Sequence, residues 1–160
     1  MSTTIEEQQL APDFTLPAVG SEEESIQLSA LRGKNVVLYF YPKDDTPGCT
    51  AEACSFRDAN HEMQKRGITV LGVSADDVAS HQKFAEKYGL PFPLLSDTDT
   101  HVSQTYGVYG EKNLYGRKFM GISRVTFLID KEGVVRKVWP KVKAAEHAEE
   151  VLATVEALGL

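Results

Sequence analysis

The chain has 160 residues, a formal net charge of -6 at pH 7 and two cysteines. A chain of this length buries roughly 70% of its unfolded surface, so it needs no metal or disulfide staple in order to fold. The acidic balance and the lack of any long basic run exclude a nucleic-acid surface, because phosphate backbones are bound by clustered Lys and Arg.

The sequence also argues against export and membrane insertion. Residues 1–10 have neither a basic start nor an apolar core, and no stretch approaches the ~20 apolar residues of a membrane span. We therefore expect a cytoplasmic protein with no membrane partner. Because reducing conditions keep thiols free there, its two cysteines fit catalysis or redox sensing better than a structural disulfide.

The hydrophobic pattern predicts an alternation of strands and helices. In chain order the predicted elements are a hairpin over 12–27, a helical turn over 28–32, a buried strand over 35–41, a helix over 47–66, a buried strand over 68–73, a helix over 76–88, a strand over 93–96, a helix over 98–106, a surface loop over 107–121, paired strands over 124–130 and 134–139, and a helix over 144–157. This order predicts an α/β fold, with a central mixed sheet flanked by helices and an N-terminal hairpin extension.

The loop after the strand over 35–41 carries the first cysteine. Sites in open α/β sheets lie at the carboxyl ends of strands, so topology alone favours this loop. Thr46 is a plausible helix cap, Pro47 suits the first helical position, and Cys49 falls among amides that have no intrahelical acceptor. A helix N-terminus with a cationic neighbour can lower the pKa of a cysteine thiol from about 8.5 to roughly 3.5–7.5. The sequence therefore predicts a reactive thiolate.

The second cysteine, Cys54, lies five residues further along the same predicted helix. On an ideal helix the two Cα atoms are ~8.5 Å apart, whereas a disulfide needs less than about 7 Å. A bond between Cys49 and Cys54 therefore requires local unwinding, and the reduced and oxidised forms should differ in shape. The alternative is that both cysteines are simply small buried apolar residues.

These residues resemble a known family. The pattern Pro42-x-x-x-Thr46-x-x-Cys49 is similar to the peroxidatic loop of the peroxiredoxins, and Cys54 resembles the resolving cysteine of the bacterioferritin comigratory protein, or peroxiredoxin Q, subgroup. The resemblance runs from residues 11–14 to the C-terminal helix and includes Arg124 at the start of a strand. It implies one thioredoxin-like domain over residues 1–160 and a thiol peroxidase that reduces hydrogen peroxide and organic hydroperoxides.

The resemblance also implies a reaction sequence. Cys49 becomes a sulfenic acid, which condenses with Cys54 to an intramolecular disulfide, and thioredoxin or a glutaredoxin restores the dithiol. The Thr46 hydroxyl, the backbone N–H of Gly48 and the Arg124 guanidinium are the expected donors to the peroxide oxygens. An intramolecular disulfide needs no partner subunit, so we expect a monomer.

Simpler roles stay open for three of these residues. The Thr46 hydroxyl could cap the helix instead of facing substrate, since one group cannot do both. Pro42 could shield Cys49 from water or simply end a strand. Without the family resemblance, Arg124 would be an exposed cation at a strand edge.

Other chemistries have weaker signals. The four histidines have no metal-ligand spacing, so no metal or other cofactor is predicted, and helix caps and turns explain the Asp44-Asp45 and Asp97/Asp99 pairs. A disulfide oxidoreductase would favour Cys-x-x-Cys, whereas four residues separate the cysteines here. A redox-switched interaction protein would form the same disulfide without turnover.

Overall fold

The structure is a computed structural model, and it describes residues 5–160. Residues 1–4, part of the segment in which no targeting signal was predicted, lie outside the described residues. The strands are β1 (Thr15–Val19), β2 (Ser25–Gln27), β3 (Asn35–Phe40), β4 (Ile68–Ser74), β5 (Leu94–Ser96), β6 (Tyr109–Leu114), β7 (Arg117–Ile122), β8 (Val125–Ile129) and β9 (Val135–Trp139). The α-helices are α1 (Pro47–Lys65), α2 (Val78–Tyr88), α3 (His101–Thr105) and α4 (His147–Ala157), and short 3₁₀ turns cover Leu28–Leu31 and Ala144–Glu146.

Seven strands form one mixed sheet in the order β2-β1-β5-β4-β3-β8-β9. Strands β3, β4 and β5 run parallel, as their helical crossovers require, whereas β8 lies antiparallel to β3 and β9 antiparallel to β8. The N-terminal hairpin extends this sheet, because β1 also pairs with β5. The predicted central mixed sheet with flanking helices and a hairpin extension is confirmed.

The two faces of β3 divide the core into two layers. Val36, Leu38 and Phe40 belong to a cluster that also contains Tyr106 and Phe127. The alternate residues Val37, Tyr39 and Tyr41 belong to a second cluster with apolar side chains of α1, α2 and α4, among them Phe56, Phe84 and Val151. Every residue of β3 is buried, which explains why its sequence is continuously apolar rather than alternating.

The segment 107–121, predicted as a surface loop, is a β-hairpin instead. Strand β6 pairs antiparallel with β7 in a separate two-stranded sheet, and the connection is Tyr115-Gly116. Both turn residues have positive φ, 52° and 80°, which suits a tight hairpin turn. Most side chains of these strands are exposed, so the sequence shows no apolar alternation from which a strand could be predicted.

Several other boundaries differ by a few residues. Helix α2 begins at Val78 because the Asp77 carboxylate caps it, accepting from the backbone N–H of Ser80 at 2.8 Å. The C-terminal helix begins as a 3₁₀ turn before it becomes α4. Within residues 5–160, no helix combines the length and the apolar character needed to cross a membrane.

Candidate active site

The first cysteine, Cys49, lies just after the loop that connects β3 to α1. Strand β3 ends at Phe40, and α1 begins at Pro47 with Thr46 at the N-cap position, in an extended conformation. Cys49 is in the first turn of α1 and is almost fully buried, with 1% of its surface exposed. The predicted placement of this thiol at a helix N-terminus and at a strand carboxyl end is confirmed.

The backbone of this first turn leaves two amides free to face a ligand. The described hydrogen bonds of α1 begin with the N–H of Thr50, which donates to the carbonyl of Thr46 at 2.8 Å. The N–H groups of Gly48 and Cys49 precede that bond, so they point out of the helix end. Donors at this position stabilise negative charge in front of the helix.

Thr46 occupies the N-cap position, but its hydroxyl does not cap the helix. The hydroxyl donates instead to the carbonyl of Lys43 at 2.9 Å. Its proton is therefore turned back into the loop, and its lone pairs are left to accept a hydrogen bond. The side-chain cap anticipated from the sequence is absent, since the hydroxyl oxygen accepts from no amide of the first turn of α1.

The Arg124 guanidinium contacts the Cys49 thiol directly. Nη2 lies 3.3 Å from Sγ, and Arg124 directly precedes β8, whose Val125 pairs with Phe40 of β3. This antiparallel pairing places the guanidinium at the carboxyl end of β3, although the two residues are far apart in sequence. Burial opposes its charge, but Glu52 and Cys49 outweigh burial and raise the pKa of Arg124.

A buried carboxyl group shares this guanidinium, and sequence reasoning missed it. Glu52, one turn after Cys49 on α1, is fully buried, and its Oε1 accepts from Nη1 of Arg124 at 2.7 Å. Its Oε2 is buried without a hydrogen-bond partner. Burial raises the pKa of Glu52 to about 7 despite the lowering effect of Arg124. Its only sequence signal was its position three residues after Cys49, on the same helix face.

The absence of a side chain at Gly48 leaves room for the Arg124 guanidinium. A Cβ atom on Gly48 would lie 2.9 Å from Nη2 and 3.6 Å from Cζ of Arg124. Any larger residue would therefore displace the guanidinium from its present position. Gly48, predicted to donate its backbone N–H to the peroxide, is thus packed against a second predicted site residue.

Cys54 lies further along the same helix and is partly buried. Both cysteines are free thiols, and α1 is helical from Pro47 to Lys65 without a break. The Cys54 sulfur raises the pKa of Arg57 electrostatically, after the larger effect of the hydrogen bond from Arg57 to Asp58. The structure therefore places the two sulfurs on one intact helix, with a cation near each.

The partly buried Pro42 follows β3 in the loop, with no contact that selects between shielding the thiol and ending the strand.

The same loop holds a buried polar cluster that the sequence did not reveal. Asp44 accepts from the Tyr41 hydroxyl at 2.6 Å, from the Ser80 hydroxyl at 2.8 Å and faces Nδ1 of His81 at 2.7 Å. The prediction that Asp44 serves only a cap or turn is therefore incomplete.

One group of ligand-type atoms occurs among the described residues. Potential ligand atoms of Asp44, Asp76 and His81 lie within 4.8 Å of one another, so the scattered sequence positions of the histidines hid a cluster. These atoms already have protein partners: Asp76 accepts from the Asp44 backbone N–H and from the Ser74 hydroxyl. The cluster thus ties the loop before α1 to the start of α2.

Comparison with known proteins agrees with this geometry. The AhpC/TSA family model matches residues 8–138. The chain is 56% identical over 149 residues to a putative peroxiredoxin bcp of Coxiella burnetii, covering 93% of this chain and 97% of that one. It is 47% identical over 153 residues to peroxiredoxin Bcp of Bacillus subtilis, covering 96% of each.

Solved structures give the same result. The bacterioferritin comigratory protein of Xanthomonas campestris, studied for its alkyl peroxide reduction activity, superposes with a TM-score of 0.86 at 42% identity over 98% of each chain. A cysteine-to-serine mutant of Xylella fastidiosa PrxQ superposes with a TM-score of 0.91 at 36% identity, covering 99% of this chain and all of the other. The chain therefore belongs to the AhpC/TSA family of peroxiredoxins, which are thiol-dependent peroxidases.

Proposed function

We propose that this peroxidase uses Cys49 to attack hydrogen peroxide and organic hydroperoxides, and Cys54 to resolve the product. The observation that carries the proposal is the 3.3 Å contact between Arg124 Nη2 and Cys49 Sγ at the start of α1. A thiolate at this point is stabilised by a permanent cation and by outward-facing amides. The sulfur is almost fully buried, so the residues around it restrict how a peroxide can approach.

The first step moves one oxygen atom to sulfur. The Cys49 thiolate attacks the terminal oxygen of ROOH, the S–O bond forms as the O–O bond breaks, and RO⁻ leaves and is protonated to ROH. Negative charge grows on the leaving oxygen, so donors aimed at it lower the barrier. We assign this role to Arg124 and to the N–H of Gly48. Thr46, whose hydroxyl donates to Lys43, would accept the hydrogen bond of the incoming peroxide.

The second step forms the disulfide. The Cys54 thiolate attacks the sulfenyl sulfur of Cys49, the S–S bond forms, and hydroxide leaves to become water. Both residues lie on an intact helix, so the first turns of α1 must open before the sulfurs can meet. Pro42, in the loop before α1, would limit water access to the sulfenic acid.

The third step restores the two thiols. An external dithiol attacks the disulfide and is itself oxidised, so two electrons pass from the reductant to the peroxide. We propose thioredoxin or a glutaredoxin as this reductant, with the cytoplasm as the compartment and the monomer as the working unit. An intramolecular disulfide supports the monomer, because no second subunit has to supply a thiol.

The test is steady-state peroxide consumption with thioredoxin, thioredoxin reductase and NADPH. We expect Cys49→Ser to abolish turnover, and Cys54→Ser to undergo one rapid sulfenylation and then stop. Intact mass should fall by two hydrogens when wild-type protein is oxidised by one equivalent of peroxide. Normal thioredoxin-dependent cycling by Cys54→Ser would overturn the resolving role, and turnover by Cys49→Ser would overturn the proposal as a whole.

A further inference from the structure

The β6–β7 hairpin leads directly into Arg124, whose guanidinium contacts the Cys49 sulfur. Strand β7 ends at Ile122, two positions before Arg124, and the intervening Ser123 donates its backbone N–H to the carbonyl of Val108 at 2.8 Å. That bond closes the base of the hairpin. The position of the Arg124 backbone therefore depends on how this base is held.

One lysine of the hairpin folds back onto that base. The Lys112 ammonium donates to the carbonyl of Ile122 at 3.0 Å, and the group lies 6.0 Å from the centre of the Phe119 ring. Lys112 pairs with Phe119 across the strands, and Gly110 pairs with Gly121 nearer the base, so these residues share one face. Lys112 is half-buried, whereas most of its neighbours in the hairpin are exposed.

Glycine makes room for this fold-back. A Cβ atom on Gly121 would lie 3.1 Å from Cδ of Lys112, closer than most real contacts of this kind. The stem of the lysine therefore lies flat over the backbone of Gly121 and points toward the hairpin base. Lys118, on the opposite face, is exposed and pairs with Glu111 at 3.7 Å.

Arg124 is shared between two acidic groups of the site. Its guanidinium contacts the Cys49 sulfur through Nη2 and the buried carboxyl group of Glu52 through Nη1. One cation therefore serves both groups, so its exact position decides how strongly it acts on the sulfur. Burial and the nearby charge of Arg124 lower the pKa of Lys112, while Cys49 acts in the opposite direction. Lys112 therefore interacts electrostatically with both Arg124 and Cys49.

We propose that Lys112 is a positioning residue of the peroxidatic site: its ammonium, bound to the Ile122 carbonyl, braces the segment that carries Arg124 and so holds the guanidinium at the Cys49 sulfur. The proposal rests on the roles given above to Cys49 and Arg124. It explains why a half-buried lysine is held over a glycine on an otherwise exposed hairpin. It also gives the hairpin a part in the chemistry, beyond linking α3 to β8.

The experiment compares Lys112→Met with Lys112→Arg and with the matched control Lys118→Met, each in the Cys54→Ser background so that Cys49 is the only thiol. Two quantities are measured: the pH midpoint of Cys49 alkylation by iodoacetamide, and the second-order rate constant of Cys49 oxidation by hydrogen peroxide. For Lys112→Met we expect the midpoint to rise and the rate constant at pH 7 to fall about three- to tenfold. Lys112→Arg should keep most of both, and Lys118→Met should match the parent.

Gly121→Ala is a second variant that keeps the charge but displaces it. Because its Cβ would press on Cδ of Lys112, we expect a smaller shift in the same direction. The melting temperature of each variant shows whether a change in midpoint or rate constant comes from loss of the fold or from loss of the Lys112 contact. If both Lys112→Met and Gly121→Ala fold and match Lys118→Met in midpoint and rate constant, the proposal is overturned. The roles of Cys49 and Arg124 would then still stand on their own variants.

Discussion

Asp44 and His81 form a buried pair that anchors the loop before α1. Nε2 of His81 lies 2.9 Å from the carbonyl of Leu95, which can only accept, so this nitrogen carries a proton. Nδ1 faces Oδ2 of Asp44 at 2.7 Å, and two hydroxyl groups also donate to the same carboxyl group. One hydrogen bond therefore joins Nδ1 of His81 to Oδ2 of Asp44, and both side chains are buried. The loop is thereby fixed to α2 and to β5.

Removing the buried contact between His81 and Asp44 should lower the free energy of unfolding much more than removing the exposed ion pair between Lys87 and Asp45. Replacing His81 with Phe removes the hydrogen-bond partner of a buried Asp44 oxygen, so we expect a loss of about 3 kcal/mol in the free energy of unfolding. The matched control is Lys87→Ala, which removes the exposed partner of the adjacent Asp45 and should have a much smaller effect, because water screens that pair. Urea unfolding of both variants measures the difference, and equal losses would contradict the anchoring role of the buried pair.

Glu52 should make stability depend on pH around neutrality. Its pKa is raised by burial to about 7, so the folded state holds a proton that the unfolded state has already released. The stability it contributes is therefore fully present below the unfolded pKa of about 4.5 and is lost as pH rises through about 7. We expect the loss to be on the order of 3 kcal/mol across this window.

The measurement is the free energy of unfolding of wild type and Glu52→Gln between pH 4.5 and 8. Glutamine keeps the shape but cannot titrate, so the decline with pH should shrink in this variant. Glu62→Gln is the control, because Glu62 is only partly buried on the same helix and pairs with Arg66 at the surface. An identical pH profile for wild type and Glu52→Gln would show that Glu52 is an ordinary carboxylate.

Arg124 should resist even its most conservative replacement. Lysine keeps the charge but cannot contact Cys49 and Glu52 through two separate nitrogens, as Nη2 and Nη1 do. We expect Arg124→Lys to slow peroxide attack about 10²-fold, the scale for losing one donor to a developing anion. Stopped-flow oxidation measures this, and Arg117→Lys on exposed β7 is the control. A rate within twofold of wild type would remove Arg124 from the reaction.

Gly48→Ala should affect the same rate constant without replacing any charged residue. The added Cβ would stand 2.9 Å from Nη2, so the guanidinium must shift from the position in which it contacts the sulfur. We expect a slower attack by roughly tenfold, in line with a weakened donor, and little change in melting temperature, because alanine favours a helix. An unchanged rate would mean that Arg124 can shift without cost.

Oxidation should open the first turns of α1. Because the two Cα atoms are ~8.5 Å apart on an ideal helix and a disulfide needs less than about 7 Å, the bond cannot form on the helix as it stands. Hydrogen exchange of the amides from Thr50 to Ser55 should therefore quicken in the oxidised form. The amides near Met63, at the other end of α1, serve as the internal reference, and equal protection of both ends in the two forms would contradict local opening.

The order of strands and helices was predictable because each element has a local pattern. The continuous apolar run of β3, the Thr46-Pro47 start of α1 and the Gly89 that ends α2 act within a few residues of chain. The β6–β7 hairpin was missed because its strands leave most side chains in water. A strand with no buried face has no period in its sequence.

The sequence by itself determined that a cysteine stands at a helix N-terminus beside a strand end, since spacing and turn residues fix both. Only the tertiary structure decided what surrounds that sulfur. The pairing of β8 with β3 brings Arg124 to the sulfur. Burial raises the pKa of Glu52 to about 7. In the loop before α1, His81 contacts Asp44, which lies 37 positions earlier in the chain. Charge and burial act through space, so the surroundings of the thiol and of its loop depend on packing between elements that are distant in sequence.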